Sequence, residues 1–176
     1  MRSIDKPEDG EYAPYATMYI GLLPDDNRVL DHLEASLREV TEYARSLSEE
    51  QLAYRYAPGK WTVKDILAHL SDDERIYVYR ALRFARNDPT ELPGFDQDPY
   101  SLHARANARP IGDLLDELAA VRGATLAFFA SLDDAALLRR GVANGHPISV
   151  RATAYHIAKH KRHHLQIMQK RYFPVS

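Results

Sequence analysis

Apolar residues recur along this chain at helical spacing in four separate stretches. Leu30, Leu33, Leu37, Val40, Ala44 and Leu47 follow a 3-4-3-4-3 rhythm that puts them on one face of a helix. A second seam, Val63, Ile66, Leu70, Tyr77, Ala81 and Phe84, predicts a helix over 62–86. Thr62 with Asp65 reads as its capping box, and Asn87-Asp88-Pro89 stops it. A third seam runs Ile111, Leu114, Leu118, Val121, Thr125, Phe128 and Leu132. The fourth follows a Ser149 cap and reads Val150, Thr153, Ile157, His160, His164, Ile167 and Arg171. Ser48 with Gln51 opens a brief helix and Asp133 opens another that ends near Gly141, while Pro58-Gly59 and Asn144-Gly145 are turns. No strand is predicted. The stretch 88–110 holds four prolines and reads as a long connection with a helical turn over 100–107. The expected fold is all-α, a four-helix bundle with two long connections. An N-terminal arm over 1–25 is expected to lie on a single domain spanning 26–176.

Composition narrows the chemistry. Lys and Arg number 23 against 25 Asp and Glu, so the net charge of −2 lacks the basic excess of a protein that grips phosphate backbones. Lys159, Lys161, Arg162, Lys170 and Arg171 read as a solvated helix face, and no nucleic-acid partner is expected. The chain contains no cysteine, which excludes disulfide scaffolds, thiolate zinc sites, iron–sulfur clusters and a cysteine nucleophile. No apolar run approaches the roughly 18 residues of a membrane span, and the polar opening 1–12 lacks the apolar core of a secretory signal. A soluble protein of the cytoplasm, without membrane contact, is expected.

Eight histidines then become the main chemical resource. His160 and His164 sit four apart on the inward seam of the last helix, so both imidazoles can aim at one point. His69 lies between Ile66 and Leu70 on the buried side of the second long helix and can supply a third nitrogen. Three neutral imidazoles with an open position form a metal site of catalytic type, and bundles build such sites from facing helices. The bland alternative is three core histidines bonded to backbone or tyrosine, but burying each without a partner costs about 1–3 kcal/mol. His156, one turn before His160, is read as a rim residue rather than an outer partner or a fourth ligand. His163 is read as a packed or surface neighbour. Asp72 and Asp73 follow His69 by three and four positions. Either carboxylate is a candidate to orient a ligand or to act as general base, against the alternative of an exposed acid paired with Arg75 or Arg80.

These residues resemble the DinB/YfiT-like family of metal-binding four-helix proteins. The likeness rests on YAPGKWTVKDILAHLSDDERIYVYRALRFARND (56–88), LPGFDQDPY (92–100) and GVANGHPISVRATAYHIAKHKRHHLQI (141–167). The family places one histidine in the helix after the PGKW turn and two, four apart, in the last helix, which matches His69, His160 and His164. Lys159 and Lys161 depart from the family pattern and are expected to favour an anionic group near the metal. The resemblance implies a metal-dependent enzyme with zinc or nickel, acting on a small molecule. It would be a thiol-dependent S-transferase using a low-molecular-weight thiol, or a hydrolase. The alternative is a non-catalytic, metal-binding stress-response bundle that binds a ligand or partner. A homodimer is expected from the resemblance and from the aromatic arm Tyr12, Tyr15 and Tyr19.

Overall fold

Hydroxyl and carboxylate side chains start the helices where their chemistry requires. Ser48 and Gln51, like Thr62 and Asp65, form reciprocal capping boxes, while Asp133 and Ser149 accept from the backbone N–H groups of Ala136 and Ala152. The computed structural model describes residues 2–16, 20 and 23–173. Its helices are α1 (Val29–Arg45), α2 (Glu49–Leu52), α3 (Val63–Ala85), α4 (Gln97–Ala104), α5 (Ile111–Ser131), α6 (Asp134–Leu138) and α7 (Val150–Ile167). A single π turn over Met168–Tyr172 continues α7. The four long seams all become helices.

Two short strands correct the expectation of none. β1 (Arg140–Ala143) and β2 (His146–Ser149) pair antiparallel about the Asn144-Gly145 turn, with Ala143 opposite His146. Both turn residues adopt positive φ, +53° and +72°, which matches the right-handed twist of a tight hairpin. The runs RGVA and HPIS carry too little alternation to announce themselves. Leu92 completes the pairing from outside, its N–H donating to Val142 and its carbonyl accepting from Asn144, both at 2.9 Å. Gly141 is required here, because a Cβ would meet the Phe84 ring at 2.0 Å.

Around the bundle the order is α1–α7–α3–α5, so the consecutive long helices α1 and α3 lie diagonally. Tyr43 near the end of α1 donates to the Met168 carbonyl beyond α7, and Tyr155 near the start of α7 donates to Ile4, which is paired with Arg28 just before α1. These contacts make α1 and α7 parallel. Asn107 beside Thr62 and Asp65, and Arg139 on the Ala85 carbonyl, make α3 and α5 parallel as well. Parallel neighbours need a connection that returns the full length of a helix. Residues 86–110 are that return: they leave Leu92 at the hairpin end of α3 and bring Asn107 back to its start, with α4 on the way.

The N-terminal arm packs on the bundle. Ile4, Tyr12, Ala13, Ala16, Ile20 and Leu23 are buried. Tyr12 is thus covered by its own chain rather than held out as an aromatic surface, and Tyr19 lies outside the described residues. Glu11 fastens the arm: it accepts from Ser149 Oγ at 2.6 Å and from Arg151 Nε at 2.8 Å, at the start of α7. Burial pushes its carboxyl up, but the bonds from Arg151 and Ser149 outweigh this and hold it at about 2 against an ordinary 4.5.

The interior is two apolar clusters separated by one polar layer. Each long helix breaks its seam at that level, with Ser36 on α1, Asp73 and Glu74 on α3, Arg122 on α5 and Lys161 on α7, all buried. Arg122, 0 % exposed, grips both Glu74 oxygens at 2.7 and 2.8 Å and reaches Ser36 Oγ and the Leu33 carbonyl. Lys161, 1 % exposed, donates to Glu74 at 3.0 Å. The reading of Lys159 and Lys161 as a solvated face is therefore corrected, since both are buried; Arg162, Lys170 and Arg171 are exposed. The buried residues of α5 are Leu114, Leu115, Leu118, Arg122, Thr125 and Phe129, so the expected Leu114, Leu118 and Thr125 hold while Arg122 and Phe129 stand one position beyond the expected Val121 and Phe128.

Two stability outcomes follow. Glu74→Gln leaves Arg122 and Lys161 without counter-charge and is expected to cost about 3–5 kcal/mol in urea unfolding; a loss below about 1 kcal/mol would show that the layer does not hold the bundle. Glu11 has a depressed folded-state pKa, so its contribution is present above the ordinary carboxylate range and is lost as pH falls from 4.5 towards about 2. Glu11→Gln should then lower stability by roughly 2–3 kcal/mol at neutral pH and flatten acid unfolding over that window. Identical acid profiles for the two proteins would contradict this.

Candidate metal centre

The first half of α3 and the second half of α7 run antiparallel and face each other at the end of the bundle beyond the polar layer. Residues 62–70 are all buried, which forces His69 inward, and the four-residue spacing stacks His160 and His164 against it. His69 Nε2 lies 3.3 Å from His160 Nε2, and His164 Nε2 lies 3.1 Å from the same atom. The three donor atoms all fall within 4.8 Å of one another. On its other side His160 presents Nδ1 to Asp73 Oδ2 at 3.1 Å.

That geometry fits a shared cation. With Nδ1–H donated to Asp73, His160 keeps a single in-plane lone pair at Nε2. The rings of His69 and His164 meet it edge-on, at 75° and 81°, and one lone pair cannot serve two donors well. An ion between the three nitrogens satisfies all of them, and a carboxylate on the outer ring nitrogen is the usual companion of a metal-bound histidine. Burial pushes His69 down to about 4, with His160 adding to the effect, and burial followed by His160 and His69 pushes His164 well below its ordinary value. Both are neutral at pH 7, the form a metal requires. Burial raises the Asp73 carboxyl, but its interaction with His160 outweighs this and holds Asp73 well below the carboxylate range.

The sequence-predicted residues divide clearly. His69, His160 and His164 come together and Asp73 touches His160. Asp72 is partly exposed, lies 3.5 Å from Arg75 and stays outside the cluster. His163 is half-buried, its ring 5.7 Å from that of His164. His156 corrects its rim reading: it is buried against Tyr77, with ring centroids 3.9 Å apart. Burial pushes it down to about 4. Lys161 is committed to Glu74 and is not available to an anion beside the histidines.

Trp61 was singled out only as part of the PGKW turn, yet it lies against two of the histidines. Its ring is 4.7 Å from His69 and stacks at 17° on His164. It also walls a cleft of about 300 Å³ that opens onto His164 between Tyr56, Tyr172, Ile167 and Asp98 of α4. A flat apolar residue just before the capping Thr62 was the available signal.

The chain is similar to known proteins over most of its length. A protein of Oceanobacillus iheyensis named as a candidate metal-dependent hydrolase is 26 % identical over 147 residues, covering 81 % of this chain and 83 % of its own. The solved structure of YfiT from Bacillus subtilis, described as a probable metal-dependent hydrolase with an unusual four-helix bundle topology, has the same fold. It superposes with a TM-score of 0.71 at 19 % identity, over 80 % of this chain and 82 % of that one. No helix of the described residues is long and apolar enough to cross a membrane. The DinB superfamily matches residues 32–168, from α1 through the last histidine of α7, and the chain belongs to it.

Proposed function

We propose that this protein is a metal-dependent hydrolase of small molecules, with a divalent ion held by His69, His160 and His164. The convergence of three Nε2 atoms, two of them 3.1 and 3.3 Å from the third, carries the reading. A divalent cation bound there would lower the pKa of a water molecule and polarise an acyl or phosphoryl oxygen. Everything else is the work of the chain. Asp73 accepts from His160 Nδ1 and so keeps the Nε2 lone pair directed at the shared point. Trp61, Tyr56 and Tyr172 give the cleft aromatic walls against which a substrate would be oriented beside His164. Asp73 is buried and engaged, so its role is to position His160, while Asp72 stays with Arg75.

Zinc or nickel suits three imidazoles. With no cysteine in the chain, any thiolate would come from a small thiol co-substrate, which is the S-transferase version of the same site. Hydrolysis is preferred because both relatives carry that description. A cytoplasmic homodimer belongs to the same proposal.

Metal analysis of untagged protein tests it. Wild type and His163→Ala are expected to hold about one divalent ion per chain, and His164→Ala to lose most of it while keeping its helical circular dichroism. Equal metal content in the two variants would refute the ligand assignment. Metal-loaded wild type should hydrolyse members of a panel of small esters, amides or phosphoesters and stop when chelated. Bound metal with no turnover on that panel would favour the non-catalytic bundle.

A further inference from the structure

His156 is a buried histidine outside both the cluster and the cleft. It lies one turn before His160 on α7, is 7 % exposed, and is outside the set of three converging donors. Its ring lies parallel to two others, at 14° and 3.9 Å from Tyr77 and at 13° and 5.6 Å from His160. Arg80 in turn places its guanidinium 4.9 Å over the Tyr77 ring and donates to the Pro93 carbonyl at 2.9 Å. Flat groups therefore form a column that starts at the returning connection and ends on His160.

His160 needs a wall of this kind. Its hydrogen bond to Asp73 is made at Nδ1, the atom next to the ring's point of attachment, so it restrains the far Nε2 only weakly against swinging out of plane. A parallel ring packed on the face opposes that swing, and offset stacking at these separations is attractive in itself. Trp61 lies parallel to His164 in a similar way, at 17°, and is tilted at 52° to His69.

We propose that His156 and Tyr77 are positioning residues, which hold the plane of His160 so that its Nε2 meets those of His69 and His164. This rests on the metal-centre reading above. The test compares full-length, untagged wild type with His156→Leu, Tyr77→Leu and His156→Phe. Cobalt(II) affinity is measured by chelator competition together with the visible ligand-field spectrum. The ¹⁵N shifts of the His160 ring are recorded in metal-free protein.

Both Leu variants are expected to bind cobalt about tenfold more weakly with an altered spectrum, whereas His156→Phe, which restores a flat ring, stays within about twofold of wild type. Without metal, His160 should be the Nδ1–H tautomer in wild type and His156→Phe, and a mixture in the Leu variants. Leu variants that match wild type, or a Phe variant as weak as Leu, overturn the proposal. Failure of the wild type to bind cobalt ends the metal-centre reading instead, and the tautomers then decide the column on their own. If His156→Leu does not fold, Tyr77→Leu, at a half-buried position, carries the same comparison.

Discussion

The buried carboxylate of Glu74 is the constraint on which the bundle depends. Arg122 from α5 and Lys161 from α7 both converge on it, and Arg122 reaches on to α1. Taking these charges out of water costs several kcal/mol each, and the cost is offset only when every partner sits in place. An apolar layer tolerates sliding of one helix past another by a turn; a layer of this kind does not. Asp73 and Glu74 are consecutive, and so are their partners His160 and Lys161, so the ion pair that aligns α3 with α7 also aligns the three converging histidines. Register and site are fixed by the same turn of helix.

The order of the helices follows from what this layer must bring together. With α1 and α3 on a diagonal, α3 contacts α7 and α5 at once, and both cations can reach Glu74. The parallel run of α3 and α5 then demands the long return over 86–110. That return carries α4 and Asp98 over the histidine end of α3, where they form one side of the cleft. A simple up-and-down bundle has short loops and no such cover. The unusual topology and the presence of a walled cleft are thus one feature.

Much of this was legible in the sequence, and the exceptions share a cause. The four seams, the caps at Ser48, Thr62, Asp133 and Ser149, and the three converging histidines follow from periodicity and side-chain chemistry. Lys161 and His156 were misplaced because a polar residue on a helix is assigned to solvent unless a partner is known, and their partners lie 87 and 79 positions away in Glu74 and Tyr77. On α5 the spacing of Leu115, Leu118, Arg122, Thr125 and Phe129 already follows the 3-4 rhythm; only the charge at 122 diverted the line to its neighbours. The hairpin was hidden for a different reason. Its strands are four residues each and contain Gly141 and Pro147, so the pairing is made by the turn and by Leu92 rather than by strand propensity.

The charges of the polar layer also prepare the histidine end for a cation. Asp73 and Glu74 balance Arg122 and Lys161, two against two, so the layer presents no net positive charge to the cluster beside it. Burial in that setting keeps His69 and His164 neutral far below pH 7, and a metal entering there displaces no proton from them. The carboxylate that touches the cluster is Asp73, which reaches it through His160. Lys161 next to His160 would oppose a cation if its charge were free; bound to Glu74, with burial lowering it to about 8, it does not. The ion pair that secures the fold thereby also neutralises the lysine charge that adjoins His160 in the chain.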